Sequence, residues 1–203
     1  MKKTTIFSAL IIFATCSATA YLYAMTGDEA LQRFRGRMGS ISTMRGTISW
    51  TNSSGFMYTG NFKFMSPGRI YVKFSNPSGK IIASNGRKLW VYSPSSNICG
   101  IQDLGRGRSG GIAGLVSGYS AIVLGGGSGY TIKLKNNDRH YSSITLVVDS
   151  SFLLKKAVMK TKDGGGMTIS LSGVIVGEGM SPGIFDFSPP ASAQTVKNPL
   201  NIK

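Results

Sequence analysis

Turns at short intervals constrain this chain more than any other feature. From Gly60 to Tyr92 it reads GNFKFMSPGRIYVKFSNPSGKIIASNGRKLWVY, broken at Ser66-Pro67-Gly68, at Asn76-Pro77-Ser78-Gly79 and at Asn85-Gly86. Proline presets one turn position, while glycine and asparagine tolerate positive φ, so each break is a turn with a physical cause. The runs between them are rich in β-branched and aromatic residues, the composition of strands. From Arg69 to Phe74 the pattern alternates, with Ile70, Val72 and Phe74 on one face and Arg69, Tyr71 and Lys73 on the other. A period of two marks a half-buried antiparallel strand. Asn85-Gly86, between Ile81-Ile82 and Leu89-Val91, is a short-range hairpin signal. The stretch predicts a meander of at least four antiparallel strands with one apolar face.

A chain of 203 residues can build one sizeable domain with a genuine core. Its 27 glycines, 15% charged and 41% hydrophobic residues suit an all-β domain with many turns, rather than a disordered chain or a helical bundle. The charge is lopsided: 23 Lys and Arg stand against 8 Asp and Glu, a formal +15. Such a protein is drawn to anionic surfaces, whether nucleic acid, lipid headgroups or acidic proteins.

The N-terminus narrows that choice. Lys2 and Lys3 precede an apolar run from Ile6 to Ala14, and Ala18-Thr19-Ala20 offers an A-x-A cleavage site, with a second option after Ala24. This is the pattern of a secretory signal peptide over residues 1–24, followed by a single domain over residues 25–203. The apolar run is shorter than the ~20 residues that span a bilayer. Export to an envelope compartment argues against nucleic acid as a partner. Cys16 follows Phe13-Ala14-Thr15, a loose match to the motif in which a cysteine is lipidated and becomes the new N-terminus. With cleavage after Ala20, Cys99 has no partner in the chain, so it reads as a small buried hydrophobe and no disulfide framework is expected.

Thr26-Gly27-Asp28-Glu29 reads as a capping box, opening a helix that carries Leu31, Phe34 and Met38 at helical spacing and ends near Gly39. That apolar stripe either packs on a sheet or roofs a ligand cavity. Strand patterns follow from Thr43 to Trp50, from Phe56 to Met65 and from Ile98 to Leu104, with Gly60 as a bulge or close-packing point. Gly105 to Gly111 (GRGRSGG) is a basic loop. Ile112 to Leu124, interrupted by Gly114 and Gly118, reads equally as a hinged flap presenting Ile112, Leu115 and Val116, as a core helix or as two strands. Alternation returns at Tyr130 to Lys135, Ser143 to Val147, Lys155 to Thr161 and Met167 to Val176, and Asp163-Gly164 predicts a primed hairpin turn. About ten strands result, on short links that favour antiparallel neighbours. Beyond Phe185-Asp186-Phe187-Ser188-Pro189-Pro190 the polar tail to Lys203 is expected to be mobile.

Catalytic constellations are scarce. Gly107 to Gly111 fits the G-x-S-x-G pattern around Ser109, but that motif requires a strand–turn–helix setting and a histidine base, and the chain's single histidine is His140. One histidine and one mature cysteine do not make a usual zinc site. The acids are scattered without paired spacing, and no P-loop occurs. These features point to binding by a surface rather than to an enzyme, with no cofactor.

The segment from Gly60 to Pro94, ending in Ser84-Asn85-Gly86-Arg87-Lys88-Leu89-Trp90-Val91-Tyr92-Ser93-Pro94, resembles the core signature of the periplasmic lipoprotein carrier family (LolA-like). Phe185-Asp186-Phe187-Ser188-Pro189-Pro190, with Val196 after it, is similar to that family's closing F-x-F-x-P-P. The resemblance implies a mainly β fold with a few helices: an incomplete, strongly curved antiparallel β-barrel, or half-barrel, with a helical lid over an apolar cavity. It implies a non-enzymatic carrier that takes lipoprotein acyl chains from an inner-membrane ABC-type releasing complex to an outer-membrane acceptor, as a monomer. Each CH₂ kept from water is favourable by roughly 0.8 kcal/mol, so acyl chains crossing water need shelter.

Alternation and the resemblance together assign Phe62, Phe64, Ile70, Val72 and Phe74 to the cavity lining, with Leu89 and Val91 pointing in rather than Trp90. Leu31, Phe34, Met38, Ile112, Leu115 and Val116 are assigned to the lid. One position departs from the family pattern: where an arginine precedes the first turn's proline and holds the lid, this chain has Ser66. The positive charge, with Arg106 and Arg108 in the loop, suggests docking on anionic membrane surfaces or an acidic acceptor. Two alternatives stand beside the carrier. One is a lipid-anchored acceptor or lipid-binding protein tethered through Cys16. The other is a signalling or structural envelope protein that reuses the fold.

Overall fold

The computed structural model describes residues 25–104, 115–126 and 128–198. A helix, α1 (Gly27–Gly39), opens the described chain. Thr26 caps it, its hydroxyl accepting from the Glu29 N–H at 3.2 Å, while Asp28 and Glu29 set negative charge on the first turn. The box is only half closed, because the Glu29 carboxylate turns forward to Arg33 at 2.7 Å.

Six strands follow in meander order: β1 (Thr43–Asn52), β2 (Met57–Met65), β3 (Arg69–Asn76), β4 (Ile81–Asn85), β5 (Lys88–Ser93) and β6 (Ile98–Asp103). Five more come after the segment that links the halves: β7 (Ser120–Gly126), β8 (Gly129–Lys135), β9 (Tyr141–Asp149), β10 (Leu154–Thr161) and β11 (Gly166–Val176). A 3-10 turn (Pro182–Phe185) and a short strand, β12 (Gln194–Lys197), end the described chain.

All twelve strands form one sheet in the order β12-β6-β5-β4-β3-β2-β1-β11-β10-β9-β8-β7. The pairing of β1 with β11 is therefore the seam between an N-terminal and a C-terminal meander. The sheet stays open, with β12 and β7 at its two edges, and it is strongly curved. Register shifts at Arg45/Thr47, Thr59/Gly60, Leu154/Lys156 and Lys160/Thr161 supply bends. Gly60 packs where β2 and β3 come closest: a Cβ there would run into the Lys73 carbonyl oxygen.

Alternation sorts the sheet's faces. On the concave side, α1 buries Ala30, Leu31 and Phe34 against Ile132 and Leu134 of β8 and Ile144 and Leu146 of β9. A second concave cluster holds Ile41, Met44, Phe62, Val72, Phe74 and Leu153. On the convex side Ala83, Trp90 and Cys99 are buried, with Phe187 of the C-terminal segment packed against them. This fold is mostly β, with a single α-helix among the described residues.

Several local expectations change in detail. The β4–β5 hairpin forms as expected, but only Gly86 has positive φ (87°), and the Asn85 side chain accepts from the N–H groups of Arg87 and Lys88 at 3.0 and 2.9 Å. The β10–β11 turn is not primed: Gly164 takes φ 85° and Asp163 does not, while Thr161 N–H bonds to the Gly165 carbonyl at 3.0 Å. That arrangement is a type I turn closed by a glycine bulge. Of the run from Ile112 to Leu124, the described part is a turn followed by β7, which pairs with β8. Ile112 and the GRGR loop lie outside the described residues. The tail is not free over Gln194–Lys197, which pairs in parallel with β6. Its side chains are all exposed, so backbone hydrogen bonds place it where no burial pattern could announce it.

Candidate functional site: an apolar hollow under the curved sheet

The concave face encloses a hollow of about 350 Å³. Met44 and Ile48 of β1, Phe62 and Phe64 of β2 and Ile70 of β3 form one wall. Ile144 and Leu146 of β9, Leu154, Ala157 and Met159 of β10, and Ile169 and Leu171 of β11 form the other. Leu115 and Val116 close it from the segment before β7. Every lining side chain is apolar, and the remaining lining residue is Gly68. Such walls offer contact area to a hydrocarbon and no partner to a polar group.

The sheet explains why these residues meet. Register places Phe62 opposite Val72 and Phe64 opposite Ile70, so the alternating sets of β2 and β3 share one face. The seam then brings β11 beside β1, with Ile48 opposite Leu171. The hollow is not complete without both meanders.

Of the residues assigned to the lining from sequence, the hollow gathers Phe62, Phe64 and Ile70. Val72 and Phe74 lie on the same face but are packed into the adjoining cluster, 3% and 2% exposed. Leu89 and Val91 also face the concave side, opposite Ser84 and Ile82, but sit beyond the hollow towards the β12 edge. Trp90 faces the convex cluster. Among the assigned lid residues, Leu115 and Val116 reach the hollow, whereas Leu31 and Phe34 are core side chains of α1 and Met38 bridges the two concave clusters.

The C-terminal wall was missed, although its signal was present. Ser143 to Val147 and Lys155 to Thr161 alternate as plainly as β3 does; what sequence lacks is the register that folds them over Phe62 and Phe64.

Arg35 supplies a tie that helical periodicity does not reveal. Its guanidinium Nη2 donates to the Val116 carbonyl at 2.8 Å, joining α1 to the segment that closes the hollow. The buried Nε of Arg35 has no hydrogen-bond partner among the described residues. Tyr119 anchors the same segment through its hydroxyl, which donates to the Tyr141 carbonyl at 2.7 Å. Burial pushes the Tyr119 phenol above its ordinary range, so it remains a donor. Ser66 lies at the start of the β2–β3 turn, its N–H bonded to the Ser42 carbonyl at 2.8 Å.

Reactive groups lie elsewhere. His140 stands in the β8–β9 turn with its ring 4.7 Å from that of Tyr141. Cys99 is fully buried, and burial raises its thiol above the usual range. Among the described residues no group of three or more His, Cys, Asp or Glu side chains is placed to hold a metal.

Comparison with known proteins follows the fold. A protein from Thermus thermophilus, described as an uncharacterized conserved protein, superposes with a TM-score of 0.57 at 12% identity, over 84% of this chain and 98% of that one. In sequence, the chain is 25% identical over 216 residues to the outer-membrane lipoprotein carrier protein of Neisseria meningitidis serogroup B, covering 98% of this chain and all of that protein. It is also 25% identical over 112 residues to the outer-membrane lipoprotein carrier protein of Methylibium petroleiphilum, a match spanning about half of each chain, 53%. The family model for the outer membrane lipoprotein carrier protein LolA matches residues 51–188, which run from the end of β1 to just past Phe187. The chain belongs to the LolA family of outer membrane lipoprotein carriers.

Proposed function

We propose that this protein is a periplasmic carrier that shelters the acyl chains of lipoproteins in the hollow between its two meanders. The observation that carries this reading is the composition of the walls: a hollow of about 350 Å³ whose side chains are all apolar. A soluble domain ordinarily fills such space, because an empty apolar void forfeits dispersion contacts. A hydrocarbon guest restores them, at roughly 0.8 kcal/mol for each CH₂ withdrawn from water.

The volume also bears on how a cargo enters. Pockets for drug-sized ligands run from about 300 to 1,000 Å³, so this hollow is at the small end. A guest with several acyl chains requires α1 and the segment around Val116 to separate, and the Arg35 contact is what must yield. In this reading cargo arrives from an inner-membrane ABC-type releasing complex and leaves to an outer-membrane acceptor, while residues 1–24 act as the export signal.

A triacylated cysteinyl peptide tests the proposal. Protein purified from the periplasmic fraction is titrated with the peptide and bound mass is read by native mass spectrometry. The expected result is a one-to-one complex, weakened at least ~10-fold by Ile70→Glu, which sets a charge on the wall. Equal binding by the variant, or no complex with either protein, would overturn the reading.

A further inference from the structure

We infer that the convex face of the sheet from β7 to β10 is a docking surface for anionic phospholipid membranes, distinct from the apolar hollow. The register shows which side chains share that face. Ile122 of β7 is opposite Lys133 of β8, and Lys135 is opposite Ser143 of β9, which is opposite Lys160 of β10. Leu124 is opposite Thr131, Thr131 opposite Val147, and Val147 opposite Lys156. Directly paired residues lie on the same side of a sheet. The other side of these strands carries Ile132, Leu134, Ile144 and Leu146, all buried. Four lysines and two large aliphatic side chains thus emerge together over a width of about 15 Å.

Three features of this face call for a partner. Ile122 and Leu124 are 60% and 50% exposed on an edge strand, where apolar side chains are a liability unless something covers them. The ion pairs of the described residues are Arg33–Glu29, Arg45–Glu178 and Lys155–Asp149, so none of the four lysines is in one. The acids nearest in the chain lie at strand ends: Asp149 is held by Lys155, and Asp138 and Asp163 are in turns. The central strip is acid-free, and its background is Thr131, Ser143 and Thr145 with Val147 and Val158.

An anionic bilayer uses both halves of this pattern. Lysines gain from the headgroup potential, and aliphatic side chains gain from burial at the acyl boundary. An acidic protein would satisfy the lysines while giving Ile122 and Leu124 no comparable environment. The surface lies on the opposite side of the sheet from the hollow, so docking there leaves the hollow uncovered.

Vesicle flotation tests this. Protein purified from the periplasmic fraction of the cells that make it is mixed with vesicles of phosphatidylcholine, with or without phosphatidylglycerol. Retention on the phosphatidylglycerol vesicles and release by added salt are expected. Replacing Lys133, Lys135, Lys156 and Lys160 with Gln should weaken retention at least ~10-fold, since each lysine near such a surface contributes about fivefold. I122S/L124S should also weaken it, and neither variant should alter uptake of the triacylated peptide. If the fourfold variant does not fold, K133Q/K135Q and K156Q/K160Q are read separately. Equal retention on neutral and anionic vesicles, or retention unchanged by the lysine variants, would overturn the inference. So would lysine variants that lose polyglutamate binding but keep vesicles, which identifies an acidic protein surface. A fourth contrary result is I122S/L124S changing only a dimer to a monomer, which identifies a second copy on the β7 edge.

Discussion

Asp149 organises the turn between β9 and β10 with one carboxylate oxygen. Its Oδ1 accepts from the Ser151 N–H at 2.9 Å, the Ser151 hydroxyl at 2.7 Å and the Leu153 N–H at 3.0 Å, while Oδ2 faces Lys155 Nζ at 3.4 Å. These contacts hold Phe152 at φ 63°, a left-handed conformation that costs a non-glycine residue of order 1 kcal/mol or more. The Phe152 ring is fixed as well, stacked on Tyr130 with centroids 4.9 Å apart. Partial burial acts to raise the Asp149 pKa, but the bonds from Ser151, Leu153 and Lys155 outweigh it, and the carboxyl titrates below its usual range. A depressed folded pKa means stability that is present above the unfolded value, about 3.9, and lost as pH falls through the folded one. Asp149→Ala should therefore cost about 1–3 kcal/mol at pH 7, with the difference from wild type shrinking below pH ~4. Urea unfolding at the two pH values measures this, and a difference independent of pH would refute the carboxylate's role. None of this was legible beforehand. Ser151 and Asp149 are ordinary turn residues, and a phenylalanine at positive φ runs against every local preference.

At the scale of elements, legibility followed burial. The meander from β2 to β5 announced itself because inward residues alternate with polar ones along β3 and because Asn85-Gly86 marks the turn between β4 and β5, whose two faces are both largely apolar. The helix did so because Leu31, Phe34 and Met38 recur at helical spacing. Edge strands gave no such signal: β12 exposes every side chain, and β7 carries aliphatic residues on both faces. Arg35 belongs with them, since a guanidinium on a helix reads as a solvated face until its partner across the fold is known. Its bond to the Val116 carbonyl ties one element to another, and Arg35→Ala should loosen that tie while Leu31 and Phe34 keep α1 packed. A charge-assisted bond of this kind is worth about 1.5–3 kcal/mol. The expected outcome is faster uptake and faster release of an acyl probe, by at least ~5-fold, in stopped-flow fluorescence. Unchanged rates would show that α1 does not restrain entry.

The whole molecule ends in two unlike edges. β12 covers β6, with the Gln194 N–H bonded to the Asn97 carbonyl at 2.9 Å and the Asn198 N–H to the Ile101 carbonyl at 2.7 Å. Cys99, fully buried, sits opposite Thr195 in this pairing. Removing residues from Gln194 onward should lower stability by about 1–3 kcal/mol and speed reaction of Cys99 with a thiol reagent. Thiol labelling at native pH checks this, and an unaltered rate would mean that the convex cluster alone protects Cys99. The hollow is a property of the same scale. Its N-terminal wall could be read from Phe62, Phe64 and Ile70, but the C-terminal wall depends on a pairing between distant strands. No local pattern encodes which meander faces which.

That seam has a consequence for how the chain reaches its fold. Each meander is built from sequential hairpins, whose contacts are local and close quickly. Joining β1 to β11 instead sets Met44 opposite Val176 and Trp50 opposite Ile169, so most of the chain must be looped before the first of these bonds can form. Loop-closure entropy places this step late, after both meanders have taken shape. Until then the walls of the future hollow are two separate apolar surfaces in water. The pairing that creates the hollow thus also ends the chain's most aggregation-exposed stage, and the enclosed apolar space exists only from that moment.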